Sequence, residues 1–174
     1  MSGSKQIVYW DTCLFISWIK DEVRKVAAEK DRLLQVVEQY NRGEIEIATS
    51  FMTKLETLPC KFDNPTKQEE QFDLLLKRSS IHLHGITHPI STKCREIRNR
   101  VYNAGHKISV PDCIHISTAI IHGIEIFQTF DGADGEKNKL LTLPENIIPE
   151  VQIKLPFAMQ SELQLKDDRK KQST

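Results

Sequence analysis

Four carboxylates stand in this 174-residue chain where an α/β fold does its chemistry: Asp11, Glu56, Asp112 and Asp131, with Asp134 close behind the last. Asp11 closes the apolar run Gln6–Trp10, and Glu56 lies on a helix expected after a second strand. Asp112 follows Pro111 at a helix start, and Asp131 and Asp134 come straight after an apolar run that ends at Thr129. They are distant in sequence, yet each stands at or near a strand-to-helix junction. In a parallel sheet those junctions share one edge, beyond the carboxyl ends of the strands, where ligands bind. Carboxylates gathered there repel one another and stay ionised together only with compensating positive charge. Oxygen-only ligands favour a hard ion, Mg²⁺ or Mn²⁺. Such an ion polarises a phosphate, lowers the pKa of a bound water and holds a leaving oxygen, which is the chemistry of phosphodiester hydrolysis. No cysteine, serine or histidine nucleophile is needed. Singly, each acid has a plainer role: Asp112 as a helix cap, Asp134 as a turn residue before Gly135, Glu56 as one of many exposed helix acids. Their joint placement is what points to an ion.

The elements that must position them follow from the apolar pattern. Gln6–Trp10 reads as a strand, and Cys13–Ile19 begins a helix with Leu14, Phe15, Trp18 and Ile19 inward. Asp21–Tyr40 is the strongest helical pattern, its stripe formed by Val23, Val26, Ala27, Leu33, Leu34, Val37 and Tyr40, with Asn41-Arg42-Gly43 as the stop. Glu44–Thr49 is a second strand, and Thr49 or Ser50 caps a helix to about Leu58 that carries Glu56. Pro59–Pro65 is a loop, Thr66–Lys77 a helix, Ser80–Ile86 a third strand and His88–Asn103 another helix. Pro111 then opens a helix with Ile116, Ala119 and Ile120 on one face, Gly123 stops it, and a buried strand runs from Ile124 toward Thr129. Ile147–Leu155 alternates as a last strand. Strands and helices therefore alternate, which predicts an α/β fold with a mostly parallel sheet and helices on its faces. Residues 1–155 are expected to form one domain and 156–174, which end in D-D-R-K-K-Q-S-T, a polar, flexible tail.

The totals agree. With 24 basic and 24 acidic side chains the formal net charge is zero, which argues against simple electrostatic wrapping of nucleic acid but leaves room for a local basic surface. Cys13, Cys60, Cys94 and Cys113 are scattered without a C-x-x-C pair, so neither a zinc cage nor a disulfide framework is expected, and a reduced, cytoplasmic setting is. The apolar run Ile7–Ile19 is interrupted by Asp11 and too short to cross a bilayer.

Four motifs carry a resemblance. They are V-Y-W-D-T-C-L-F-I around Asp11, T-S-F-M-T-K-L-E ending at Glu56, P-D-C-I-H-I-S-T-A-I from Pro111, and T-F-D-G-A-D from Thr129. Each alone says little; in this order and spacing the chain, over roughly residues 5–155, resembles the PIN domain, a metal-dependent nuclease fold that includes the VapC-type toxins of toxin–antitoxin modules. The resemblance implies a three-layer α/β/α sandwich. It implies Asp11, Glu56, Asp112 and Asp131 as the acids that hold Mg²⁺ or Mn²⁺, Asp134 as an accessory, and Thr129 steadying the site through its hydroxyl. It further implies cleavage of RNA, often by a homodimer, and for toxin members a partner antitoxin that can push a basic side chain into the acidic pocket. A solitary PIN nuclease stands beside the toxin reading, because the segment Asp21–Tyr40 and the tail exceed a minimal toxin.

The remaining candidates have two readings each. Lys93, Arg95, Arg98 and Arg100 form a basic patch on the His88–Asn103 helix, either a solvated face or a track for an RNA backbone, which Lys61, Lys67, Lys77 and Arg78 could extend. His82 and His84 lie two apart on a strand, as two metal ligands would, but no third ligand is evident. His115, on the helix after Asp112, could approach the acid edge but is read as packed or solvated, and Cys13 and Cys113 are read as small buried thiols. Two rivals to a nuclease are a non-catalytic PIN-like module that binds RNA or protein, and an unrelated phosphohydrolase. The latter would need a glycine-rich phosphate loop near Asp11, which the sequence lacks.

Overall fold

A computed structural model describes residues 5–20, 27–58, 61–137 and 139–159. Among the described residues there are five strands: β1 Gln6–Trp10, β2 Ile45–Ser50, β3 Ile81–His84, β4 Ile126–Gln128 and β5 Gln152–Lys154. All pair in parallel, in the order β3-β2-β1-β4-β5. The chain steps outward from β1 to β3, then returns to lay β4 on the other flank of β1. The order therefore reverses between β1 and β4, and that switch point is where a doubly wound sheet opens a crevice.

Alternation along the strands divides the core into two layers. Val8 and Trp10 face helices α1 (Thr12–Lys20), α2 (Ala27–Asn41) and α4 (Pro65–Leu76), packing with Leu14, Phe15, Leu33, Val37, Phe72 and Leu76. Tyr9, Ala48 and Phe127 face α5 (His88–Asn103) and α6 (Val110–Ile121), packing with Ile97, Val101, Ile116 and Ala119. This is the three-layer α/β/α sandwich with a parallel sheet that the sequence predicts. A short helix, α3 (Met52–Glu56), follows β2. Among the described residues no helix is long and apolar enough to cross a membrane.

Several elements are shorter than the apolar pattern suggests. The helix expected to reach Leu58 ends at Glu56, and the strand expected over Ser80–Ile86 pairs only over Ile81–His84. The expected strand from Ile147 is confined to Gln152–Lys154, because Ile147 closes a 3-10 turn and Pro149, with no N–H to give a ladder, follows it. Ile124 N–H bonds back to Ala119 instead of entering a strand, so β4 starts at Ile126. In α2 the buried apolar residues are Leu33, Val36, Val37 and Tyr40, whereas Leu34 is turned outward. Val23 and Val26 lie outside the described residues. The first residues of the expected tail return to the body: Gln39 exchanges two hydrogen bonds with the Met159 backbone, and Gln128 donates to the Phe157 carbonyl. Residues 160–174 lie outside the described residues.

Candidate metal centre

Asp11 follows β1 directly, at the switch point, and is 6% exposed. A carboxylate so buried needs donors, and it has them. Thr12 N–H donates to Oδ1 at 2.7 Å and the Thr129 hydroxyl to Oδ2 at 2.7 Å. Thr129 stands at the end of β4, and its hydroxyl also accepts from Asp131 N–H at 2.9 Å. One hydroxyl thus ties the acids that follow the two central strands. Asp131 itself accepts from Leu140 N–H at 2.9 Å and faces Lys139 Nζ at 3.3 Å. The Asp131 charge holds the Lys139 ammonium above its ordinary pKa. The turn that allows this approach needs Gly132, whose φ is +91° and whose added Cβ would sit 2.7 Å from Lys139 Cβ.

Asp112 comes from the first turn of α6. Ser109 caps that helix, accepting from Asp112 N–H at 3.1 Å and donating to Asp112 Oδ2 at 2.5 Å. Glu56 ends α3, and its Oε2 accepts from the Thr12 hydroxyl at 2.6 Å and contacts His115 Nε2 at 2.9 Å.

Asp11, Glu56, Asp112 and Asp131 line one open cleft of about 520 Å³, with Thr12, Cys13, Ile16, Leu58, Lys61 and Phe130 as the rest of its wall. The electrostatics register their proximity. Burial pushes the Asp112 carboxyl above the usual range, and the charges of Asp11, Asp131 and Glu56 push it further, against the Ser109 bond. Burial also pushes Glu56 up, but the bonds from His115 and Thr12 and the charge of Lys61 outweigh it and leave Glu56 lowered. Cys13 is not a nucleophile here: burial and the Asp11 charge push its thiol well up, and its sulfur accepts from Phe130 N–H. The donors facing the cleft are carboxylate oxygens, and one acid is raised by the charge of the other three. That set fits a hard divalent cation.

Asp134 is exposed, accepts from Glu136 N–H at 3.1 Å and is not among the cleft-lining residues. The basic patch divides. Lys93 and Arg100 are tied to Glu96 and Glu150, Arg100 to the latter at 2.8 Å. Arg95 and Arg98 line a separate groove with Tyr102, His106 and Lys107. The loop 106–109 joins that groove to the start of α6, where Asp112 sits. Lys61 does not extend the patch; it lines the acidic cleft. His82 and His84 do gain a third imidazole, since His122 stacks on His84 with ring centroids 3.6 Å apart. Stacked faces do not converge on an ion, and His82 Nε2 is held by Glu46 at 2.6 Å.

Sequence reasoning missed Thr12 and Lys139, and it underweighted His115, which is packed as expected but stands at the acids: it is fully buried and, with Asp11 and Glu56, brings ligand-type atoms within 4.8 Å of one another. Its signal was the three-residue step from Asp112, which puts both on one flank of a helix.

Known proteins agree with this architecture. The family profile described as PIN domain matches residues 8–133. Among solved structures, VapBC2 from Rickettsia felis bound to a promoter DNA fragment aligns with TM-score 0.62 and 16% identity, over 86% of this chain and 98% of that one. DNA-bound VapBC from Salmonella typhimurium aligns with TM-score 0.60 and 16% identity, over 86% and 97%. A toxin–antitoxin complex from Klebsiella pneumoniae aligns with TM-score 0.52 and 18% identity, over 87% and 99%. No curated protein sequence matches the chain.

Proposed function

The chain belongs to the PIN domain family, and on that footing we propose that it is a Mg²⁺- or Mn²⁺-dependent endoribonuclease whose cation is held by Asp11, Glu56, Asp112 and Asp131. The observation that carries this reading is the meeting of the four acids in one open cleft at the switch point of the sheet. When bound, the cation supplies Lewis acidity toward a phosphodiester and an activated water. The chain's own groups do the rest. Thr12 N–H and Thr129 fix Asp11, Ser109 fixes Asp112, and Leu140 N–H fixes Asp131, so the carboxylate oxygens are aimed before the cation arrives. Arg95 and Arg98, which line a groove of their own, serve as contacts for the RNA backbone; Lys93 and Arg100, neutralised by Glu96 and Glu150, add little. Asp134 serves its own turn.

The structural neighbours, a VapBC complex and a toxin–antitoxin complex, support a toxin whose activity is held by an antitoxin; a cytoplasmic setting and a homodimeric working form belong to the same proposal. A non-catalytic RNA-binding module is the outcome to be excluded. Purified protein is expected to cut single-stranded RNA with Mn²⁺ or Mg²⁺ and not with chelator. Asp11→Asn is expected to lower the rate by about 100-fold or more, since it removes a cation ligand on which the positioning depends. Cleavage that survives chelation or Asp11→Asn, followed on labelled RNA, rules the mechanism out. Tight RNA binding without cleavage would leave the module.

A further inference from the structure

We infer that His115 is the positioning residue of the acidic cleft, holding Glu56 in a rotamer that commits one carboxylate oxygen to the protein and leaves the other for the cation. The inference rests on the reading of the cleft as a cation site.

Both ring nitrogens of His115 are engaged. Nδ1 lies 2.9 Å from the Tyr9 hydroxyl, and Nε2 lies 2.9 Å from Glu56 Oε2 and 3.2 Å from Thr12 Oγ1. An ionised carboxylate only accepts, so Nε2 carries a proton toward Glu56, while Nδ1 is held by the Tyr9 hydroxyl. The neighbouring hydroxyls fall into a consistent order. Thr49 donates to the Trp10 carbonyl at 2.9 Å, so Thr53 gives its proton to Thr49 at 2.6 Å. Thr12 is left to give its single proton to Glu56 Oε2 at 2.6 Å. Oε2 thereby takes two donors and is committed to the protein, and Oε1 faces no donor among the described hydrogen bonds.

Glu56 needs this anchor. It is the last residue of a five-residue helix, too short to hold its own terminus, and Leu55 and Leu58 on either side of it are exposed. His115, by contrast, is 0% exposed on a twelve-residue helix. Tyr9, which fixes the imidazole, is itself stacked on Phe127 of β4, with centroids 5.1 Å apart and planes 12° apart. Rigidity is passed from the central strands through Tyr9 and His115 to a carboxylate on a loosely held turn. A ligand role for His115 fits less well. Its proton lies between Nε2 and Glu56, and it stands behind Thr12 and Glu56, outside the residues that line the cleft.

The test compares Mn²⁺ affinity, by titration with detection of free Mn²⁺, in wild type, His115→Leu, His115→Gln and His115→Asn. Gln places an N–H where Nε2 stands; Asn reaches only the Nδ1 position. His115→Leu is expected to weaken Mn²⁺ binding about 10–100-fold, the range for residues that orient a ligand. His115→Gln is expected to recover most of that loss and His115→Asn little of it. Nitrogen-15 spectra of metal-free wild type are expected to show the proton on Nε2, and bound Mn²⁺ to show no nitrogen hyperfine coupling. Equal affinities for wild type and a folded His115→Leu overturn the inference while the cation site stands, as does nitrogen coupling to Mn²⁺. If His115→Leu fails to fold, equal affinities for the Gln and Asn variants overturn it. Wild type that takes up no Mn²⁺ brings down the reading of the cleft and the inference with it.

Discussion

Asp112 bears the cost of assembling the cleft without a cation. Burial, then repulsion from Asp11, Asp131 and Glu56, raise its carboxyl above the ordinary range. Below the unfolded value, about 4 for an aspartate, folded and unfolded chains are both protonated there and the site costs nothing. As the pH climbs through the raised folded value, the folded state gives up its proton later than the unfolded one, and stability falls. Asp112→Asn, which keeps an acceptor for Ser109, is therefore expected to raise the melting temperature of metal-free protein at pH 7, by about 2–4 °C for each kcal/mol relieved. It should have no effect near pH 3. Calorimetry at the two pH values checks this; an equal effect at both would mean that neither burial nor the other three acids raise the Asp112 carboxyl. At this scale the sequence was informative where chemistry coincides with a boundary. Asp11, Asp112 and Asp131 end a strand, open a helix or follow a strand, and such places can be read from periodicity. For His115 the three-residue step from Asp112 gave the flank but not the partner, and for Lys139 nothing gave either, because their roles come from contacts across the fold: to Glu56, 59 residues away, and to Asp131 through a turn that only Gly132 permits.

The helices were legible because amphipathic stripes persist over many residues; α5 has the bounds that its pattern predicts. The strands were legible in place and not in length. Pro149 keeps β5 short, and the bond from Ile124 N–H to Ala119 delays the start of β4. The outer strand β3 also carries a titration that its sequence conceals. Burial, then the charges of His122 and His82, lower His84 to about 4. The unfolded chain takes up this proton first, so stability is lost as the pH falls from about 6.5 toward 4 and levels off below. Glu46 on β2 is bonded to His82, two residues before His84 on β3. His84→Gln is expected to flatten that part of the acid unfolding curve. Because His84 is half-exposed, solvent trims the effect to no more than about 5 °C. Melting curves from pH 7 to pH 4 decide it, and an unchanged slope would mean that the His84–His122 stack tolerates the charge.

For the whole molecule, the layered architecture and the parallel sheet followed from alternation alone, since buried strands between amphipathic helices have few other solutions. The strand order was not legible, because nothing local says on which flank of β1 the chain returns. A cation that binds only the folded protein must stabilise it by mass action. At a concentration 100 times its Kd the gain is about 2.7 kcal/mol, or about 5–10 °C in melting temperature for a chain of this size. Mn²⁺ is expected to give such a shift in wild type and to lose most of it in Asp11→Asn; an equal shift in both would place the ion elsewhere. The return of the chain to β1 has a further consequence. A polypeptide still on its ribosome can hold Asp11, Glu56 and Asp112 while β1 has only β2 beside it, and Asp131 joins them once β4 is laid on the other flank. The proposed cation site is therefore completed late in synthesis, and a nascent chain lacks its fourth acid until β4 pairs.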